Sequence, residues 1–158
     1  MKEFTINQND AGQRLDKFLT KAVPLLPQSL IYKYIRLKRI KRNGKRCAAA
    51  DRLEAGDILT LYISDEFFTG ADNPLFFLSA PAALSIVYED ENLLLLDKQP
   101  GLVVHEDESG RPDTLINRVL RYLYEKGEYN PRAENSFVPA LCNRIDRNTG
   151  GIVIAAKN

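Results

Sequence analysis

The hydrophobic pattern before residue 64 predicts two helices. The apolar positions of the first helix recur three or four residues apart and stop before Pro24: Leu15, Phe18, Leu19 and Ala22. The second helix is predicted to open at Pro27, with Ser29 as a candidate N-cap, because a serine at that position can accept a bond from a free backbone N–H. Its apolar face comprises Leu30, Ile31, Tyr34 and Ile35, and its opposite face carries Lys33 and Arg36.

Extended structure is predicted after these helices. Asn43-Gly44 separates Ile40–Arg42 from Lys45–Cys47, and this pair favours a hairpin because both residues accept the positive φ of a type I′ turn. A turn at 53–57 then leads into a strand at 58–63. The order helix, helix, hairpin, strand predicts a small first domain over residues 1–63.

Residues 64–83 predict a linker, because they carry turn residues and show no sustained periodicity. Within it, the apolar stretch 75–78 is expected to dock on an apolar surface. The linker separates the first domain from a second pattern over residues 84–158.

The second half alternates short apolar runs with one amphipathic helix. Two strands are predicted at 84–88 and 93–97, around an acidic turn, and an extended stretch follows at 102–105. A helix at 115–123 is predicted to be capped by Asp113 or Thr114. A mobile polar loop at 125–136 and a buried strand at 152–157 complete the pattern. This order favours a mixed or antiparallel sheet, so we expect an α+β fold for the chain as a whole.

Composition sets mild limits on function. The 158 residues are 44% hydrophobic and 27% charged, which is ordinary for a soluble protein, and the net charge of +1 alone implies no partner. Cys47 and Cys142 lie far apart and predict no disulfide framework. No signal-peptide pattern or membrane-length apolar run is visible, so we expect a cytoplasmic protein.

The charges are unevenly distributed along the chain. Every charged residue from Ser29 to Arg46 is basic, and we call this set the basic stripe: Lys33, Arg36, Lys38, Arg39, Lys41, Arg42, Lys45 and Arg46. Such a stripe can bind successive phosphates of a nucleic acid, or it can be a solvated surface. Charge alone does not separate these alternatives.

The spacing of several motifs favours RNA. Leu15–Leu19, the helix start at Ser29, Arg39–Lys45 and Leu53–Asp57 together resemble the S-four-like RNA-binding domain over about residues 12–63. The resemblance implies that the second helix and the hairpin loop dock structured RNA. Members of that family often have glycine where Lys38 stands.

Other candidate sites are weakly supported by the sequence. His105 is followed by three acids and suggests a metal site, but no second histidine or cysteine lies at ligand spacing, so a solvated loop is favoured. A Ser-His-Asp or Cys-His system is unsupported for the same lack of partners. Lys98 and Gly101 lack the glycine spacing and following helix of a phosphate-binding loop.

One carboxylate stands out near the end of the chain. Asp146 lies between Arg144 and Arg147, just before Thr149-Gly150-Gly151 and an apolar strand. An aspartate in a turn is usually only a turn former. Its neighbours, however, resemble the H-R-L-D-x-x-T-S-G signature of the RluA-like RNA pseudouridine synthases.

Two upstream stretches support this second resemblance, which covers about residues 84–158. Tyr88-Glu89-Asp90 resembles that family's Y-E-D, and Lys98–His105 resembles its K-P-x-G followed by a strand ending in histidine. The chain departs from the family pattern at three positions. Asn143 replaces the usual histidine, Gly150 the usual serine and Gln99 the usual proline.

The resemblance implies roles for two residues. Asp146 would be the catalytic aspartate, and Arg144 would help to fill the gap left by a flipped uridine. The positive charges of Arg144 and Arg147 would favour ionised Asp146 and contact the RNA phosphates on either side. The carboxylate could attack the anomeric sugar carbon or the sixth ring carbon, or remove a sugar proton, and these alternatives stay open. The reaction needs no cofactor and no metal.

The expected protein is therefore an RNA pseudouridine synthase that acts on structured RNA, with large-subunit ribosomal RNA favoured as substrate. Family catalytic domains continue well past residue 158, so we expect an N-terminal fragment that is inactive alone. We expect a monomer without membrane association. The alternative is an RNA-binding protein with no catalytic activity.

Overall fold

The computed structural model describes residues 1–70 and 73–158, and its fold is α+β as expected. The chain forms two compact units. The first unit comprises Met1–Asp72 and Arg132–Phe137, and the second comprises Asn73–Pro131 and Val138–Asn158.

The first unit is a four-stranded antiparallel sheet with two helices. Its elements are β1 (Lys2–Thr5), α1 (Leu15–Ala22), α2 (Gln28–Arg36), β2 (Ile40–Arg42), β3 (Lys45–Arg46) and β4 (Ile58–Leu61). The strand order is β1-β4-β2-β3, so β1 and β3 form opposite edges. The pattern of the sequence did not predict β1, because only Phe4 of its four residues is buried and one inward position shows no period.

The predicted apolar faces of both helices are confirmed in this unit. Leu15, Phe18 and Leu19 of α1 are fully buried, and Ile31 and Ile35 of α2 are also buried. Burying each such side chain contributes about 1.5–3 kcal/mol, which is how an eight-residue helix and a nine-residue helix remain folded.

The predicted cap of the second helix was wrong. Helix α2 begins at Gln28 with Pro27 in the N-cap position, and no side chain caps it. Pro27 has φ −58° and ψ 142°, so its ring already sets the extended geometry that precedes the first helical residue. Ser29 is consequently the second residue of the helix, and it is exposed.

The predicted hairpin is confirmed, with positive φ at both turn residues. Asn43 has φ 50° and Gly44 has φ 73°. Asn43 also binds the neighbouring strand, because its side-chain oxygen accepts a bond from the backbone N–H of Ile58 at 2.8 Å. Lys38, between α2 and β2, has φ 61°, which costs a residue with a Cβ about 1–2 kcal/mol and explains the glycine common at this position.

Segment 64–83 contains two short 3₁₀ helices, Asp65–Phe68 and Phe76–Ser79. Phe67 and Phe68 pack on the core of the first unit. Phe77 is buried in the core of the second unit, with Leu75 and Leu78 packed beside it, which confirms the docking expected for 75–78. The part of the predicted linker at residues 71 and 72 lies outside the described residues.

The second unit is a four-stranded antiparallel sheet with one helix. Its elements are β5 (Ile86–Glu89), β6 (Leu93–Lys98), α3 (Leu115–Lys126), β7 (Ala140–Leu141) and β8 (Gly151–Ala156), in the order β5-β6-β8-β7. Thr114 caps α3, because its hydroxyl accepts a bond from the N–H of Asn117 at 3.2 Å. Leu115, Val119 and Leu123 of this helix are buried, as predicted.

Two loops of the second half differ from expectation. Val103 forms an isolated bridge with Thr114, and residues 102–105 form no strand, because the carbonyl groups of Val103 and Val104 accept the N–H groups of Leu115 and Ile116 at the start of α3, at 2.8 and 3.1 Å. The predicted mobile loop begins later, since α3 runs to Lys126. Residues 132–137 then join the first unit, where the Ser136 hydroxyl binds the buried Asp10 carboxylate at 2.5 Å.

Candidate functional site

Asp146 lies on the connection between β7 and β8, shortly before β8 begins at Gly151. Its carbonyl oxygen accepts a bond from the Thr149 N–H at 3.1 Å, which closes a tight turn. Within the described residues, the carboxylate of Asp146 and the guanidinium of Arg144 have no hydrogen-bond or ion-pair partner, and both residues are exposed. The turn therefore holds the backbone and leaves the two charged side chains free.

The buried side chain of Lys98 holds this turn in place through hydrogen bonds. It ends β6, it is 1% exposed, and its Nζ donates to the carbonyl oxygens of Gln99, Arg147 and Thr149 at 3.1, 2.8 and 2.7 Å. Burial lowers the pKa of the Lys98 ammonium group, and the charge of Asp146 opposes that change. Neither the comparison with a phosphate loop nor the resemblance to K-P-x-G predicts this supporting role of Lys98. The one available signal was a lysine at the end of an apolar strand.

Asn143 also fixes the connection between β7 and β8, through two hydrogen bonds of its side chain. Its Nδ2 donates to the Ile152 carbonyl at 3.1 Å, and its Oδ1 accepts the Ile154 N–H at 2.8 Å. Both bonds fix the connection to β8. The residue that replaces the usual histidine thus has a structural use in this chain.

Gly150 lies against the two residues that flank Gln99 in the sequence, Lys98 and Pro100. A Cβ placed on Gly150 would lie 3.2 Å from Cδ of Pro100 and 3.3 Å from the carbonyl oxygen of Lys98. Both distances are tighter than ordinary carbon contacts. A serine at position 150, the residue usual in the family, would therefore be crowded by Pro100 and the Lys98 backbone.

A cavity of about 360 Å³ opens beside the turn. It is lined by His105, Glu106 and Asp107 on one segment and by Arg144, Asp146 and Arg147 on the other. Burial, helped by the charge of Arg144, lowers the pKa of the His105 imidazole and so favours its neutral form.

Arg147 is placed differently from Arg144. Its guanidinium binds the Asp107 carboxylate at 2.8 Å. Across residues 1–70 and 73–158, no group of three or more histidine, cysteine, aspartate or glutamate side chains is arranged to hold a metal ion.

The basic stripe is largely exposed in the first unit. Its side chains from α2 through β3 face solvent at Lys33, Arg36, Lys38, Arg39, Lys45 and Arg46, and they are half-buried at Lys41 and Arg42. Two of them lie over aromatic rings, with the Arg39 guanidinium 5.6 Å from the ring centre of Tyr34 and the Lys41 ammonium 5.4 Å from that of Tyr62.

Arg42 has a structural partner. Its guanidinium binds the nearly buried carboxylate of Asp57 at 2.6 and 2.7 Å. Burial opposes ionisation of Asp57, but hydrogen bonds from the Glu54 N–H, Asn43 and Arg42 outweigh it and hold the pKa of the carboxyl below its usual value of 3.8. Arg42 is therefore less free to bind phosphate than its neighbours.

Neither a membrane-spanning helix nor a disulfide bond is found in the described residues. Within the described parts of the chain, no helix combines the length and the apolar character that crossing a membrane requires. The thiols of Cys47 and Cys142 are both free, the first buried and the second exposed.

Comparison with known proteins agrees with both halves of this description. The S4 domain model matches residues 13–59, and the RNA pseudouridylate synthase model matches residues 92–158. Over 159 aligned residues, the chain is 38% identical to an RNA pseudouridine synthase of Mycoplasma capricolum, covering 100% of this chain and 51% of the relative. The chain belongs to the RluA-like family of RNA pseudouridine synthases.

Other members of the RluA-like family give the same result. The chain is 36% identical to ribosomal large subunit pseudouridine synthase C of Vibrio vulnificus, over 96% of this chain and 46% of that protein. It is 31% identical to ribosomal large subunit pseudouridine synthase D of Buchnera aphidicola, over 93% and 43%. The chain thus spans about half the length of the curated relatives it matches, beginning with an S4 domain and continuing into a synthase domain.

Proposed function

We propose that the complete protein carrying this chain isomerises uridine to pseudouridine in structured RNA, with large-subunit ribosomal RNA as the substrate class. The proposal rests chiefly on the Asp146 turn, where an exposed carboxylate without a bonding partner borders a cavity beside Arg144. The names of the Vibrio and Buchnera relatives support the choice of ribosomal RNA.

In this proposal Asp146 is the catalytic residue. Isomerisation breaks the bond between ribose and the ring nitrogen, rotates the base and rejoins it through carbon, so the base must first leave the helical stack. A carboxylate to which no hydrogen-bond donor is bound is available either to attack carbon or to remove a proton. Arg144 is unpaired and can occupy the space that the flipped uridine leaves.

RNA binding is assigned to the first unit, with a contribution from Arg147. The proposed phosphate contacts are the members of the basic stripe, Lys33, Arg36, Lys38, Arg39, Lys41, Arg42, Lys45 and Arg46. We assign residues 1–63 to RNA binding, 64–83 to a linker and 84–158 to the first part of the catalytic domain. Six of the eight stripe side chains are exposed, which supports their access to phosphate.

Residues 1–158 alone are proposed to be inactive, monomeric and cytoplasmic. The support for inactivity is coverage, because the matched relatives continue for about as many residues again. The reaction as proposed involves no cofactor and no metal.

The experiment is to map pseudouridine in ribosomal RNA incubated with the complete protein and, separately, with residues 1–158. We expect pseudouridine from the complete protein and none from residues 1–158. RNA binding by the complete protein without any pseudouridine would favour the alternative function, an RNA-binding protein that performs no catalysis.

A further inference from the structure

One tyrosine on the basic face of α2 has an exposed ring. Tyr32 is 44% exposed and lies next to Lys33, with Arg36 one helical turn further on, both also exposed. Binding phosphates requires only the two cations. An aromatic ring among them adds a flat apolar surface that phosphate recognition does not need.

The tyrosines of the first unit differ in what covers their rings. The ring of Tyr34 packs against Phe67 at 6.5 Å and lies under the guanidinium of Arg39, and the ring of Tyr62 lies under the ammonium of Lys41. Tyr32 has no ring–ring or cation–ring partner among the residues that the structure describes. Its face is therefore available to an external partner.

The hydroxyl end of Tyr32 is anchored. Its Oη donates to Oδ2 of Asp16 at 3.1 Å, and Asp16 is 3% exposed. Arg14 fixes that carboxylate in turn through bonds of 3.1 and 2.9 Å. A ring held at one end loses little further freedom when a planar partner stacks on its face.

We propose that Tyr32 stacks on an unpaired nucleobase of the bound RNA, next to a duplex segment whose phosphates face Lys33 and Arg36. The proposal rests on the RNA-binding function proposed above and narrows the ligand to duplex RNA with an adjoining loop or bulge. Proteins recognise unpaired RNA bases largely by stacking them on aromatic side chains, whereas the bases of a continuous duplex are not accessible in this way.

A competing explanation is that the tyrosine only supports Asp16 through its hydroxyl. The two explanations predict different RNA affinities for two variants of Tyr32. Tyr32→Phe keeps the ring and removes the hydroxyl, whereas Tyr32→Leu removes both. If Tyr32 stacks on a base, Tyr32→Phe should keep its affinity for RNA and Tyr32→Leu should lose it. If Tyr32 only supports Asp16, both variants should lose affinity equally.

The test uses residues 1–158 and two RNAs with equal numbers of phosphates. One is a hairpin with 2-aminopurine in its loop, whose fluorescence falls when it stacks on a ring, and the other is a blunt duplex. Tyr88→Leu is the matched control, because Tyr88 is 50% exposed and its hydroxyl likewise donates to an aspartate, Asp90 at 2.9 Å. Unlike Tyr32, it is followed by two acids, Glu89 and Asp90.

We expect Tyr32→Leu to weaken hairpin binding at least about fivefold, the lower end of the effect of one base–aromatic stack, and to abolish the fluorescence change. Tyr32→Phe and Tyr88→Leu should bind the hairpin within about twofold of the unchanged chain, and duplex affinity should not change for any variant. Circular dichroism of each variant checks that α2 is folded.

Two results would overturn the stacking role alone. These are an equal loss for Tyr32→Phe and Tyr32→Leu, or no loss for either while Lys33→Gln still lowers the salt dependence of binding. If the unchanged chain bound neither RNA in a salt-dependent way, the RNA-binding function itself would fail, and the stacking role with it.

Discussion

Lys98 shows how a residue without candidate chemistry shapes the site. A cation inside a protein is costly unless its donors are satisfied, and three carbonyl oxygens satisfy the Lys98 ammonium. Two of them belong to the turn that follows Asp146. The backbone around the carboxylate is thereby fixed, while its side chain stays free to act.

Replacing Lys98 by methionine tests this support. The substitution keeps the apolar stem and removes the donor, so three carbonyl groups lose this partner and stability should fall by about 1–3 kcal/mol. Urea unfolding followed by circular dichroism measures the change, with the exposed Lys2→Met as control, expected to change stability by less than about 0.5 kcal/mol. An equally small effect at Lys98 would show that its ammonium does not hold the turn.

Gly150 and Pro100 should be energetically coupled. Gly150→Ser forces its Cβ against the ring of Pro100, and such overpacking should cost about 1–3 kcal/mol. In a Pro100→Ala background the same substitution should cost less, since the nearest atoms are gone. A double-mutant cycle measures the difference, expected to exceed about 0.5 kcal/mol. Equal costs in the two backgrounds would contradict the proposed link between these positions.

At the scale of elements, the sequence predicts those parts whose signals are local. The spacing of Leu15, Phe18 and Leu19 defines α1, and Asn43-Gly44 defines the hairpin turn, because side-chain periodicity and positive φ belong to neighbouring residues. Ser29 was misassigned as a cap because the proline two positions earlier had already set the helix entry.

The parts that could not be predicted depend on distant contacts. Residues 102–105 look like a strand, but Val103 and Val104 bond to the start of α3. The motif around Asp146 could be located from the sequence, whereas its support by Lys98 spans about fifty residues. The periodic pattern of hydrophobic residues gives no signal of a contact between residues so far apart in the sequence.

The hairpin and the turn before β4 should respond to acid through Asp57. Its pKa is lower in the folded than in the unfolded chain, so the unfolded chain binds more protons as the pH falls. The stability contributed by Asp57 is therefore complete above the ordinary value near 3.8 and is lost as the pH falls through the lower folded pKa.

Asp57→Ala should accordingly cost about 3–5 kcal/mol at neutral pH, because it leaves Arg42 partly buried without its partner. Its cost should shrink at acidic pH, as the pH falls through the lowered pKa of Asp57 in the folded chain and the unchanged chain also loses the charge. Urea unfolding at the two pH values gives both numbers, and Asp51→Ala is the control. A cost that does not depend on pH would contradict the assignment.

At the scale of the molecule, the distribution of charge matters more than its total. The net charge is +1, yet the basic stripe carries eight cations without an acid among them in sequence. In the first sheet, Lys45 and Arg46 lie on the β3 edge and Lys2 lies on the β1 edge. Position in the sheet therefore supplies a matched test of which cations contact RNA.

Lys45→Gln and Arg46→Gln should each lower the slope of log affinity against log salt by about one unit, because each removes one of the proposed phosphate contacts. Lys2→Gln should leave the slope unchanged. Neutralising Lys41, Arg42 and Lys45 together should lower both affinity and slope, with Arg42 contributing least because it binds Asp57. Filter binding of a stem-loop RNA measures these slopes, and an unchanged slope in the triple variant would remove the RNA-binding assignment.

The most direct test of the account is the single-turnover rate of pseudouridine formation by the complete protein, unchanged and with Asp146→Asn. Asparagine keeps the shape and the turn but cannot act as nucleophile or base. We expect no pseudouridine above background from the variant, with RNA affinity within a few-fold of the unchanged protein. A rate within about tenfold, a barrier difference of no more than about 1.4 kcal/mol, would contradict the catalytic role of Asp146 and leave RNA binding as the function.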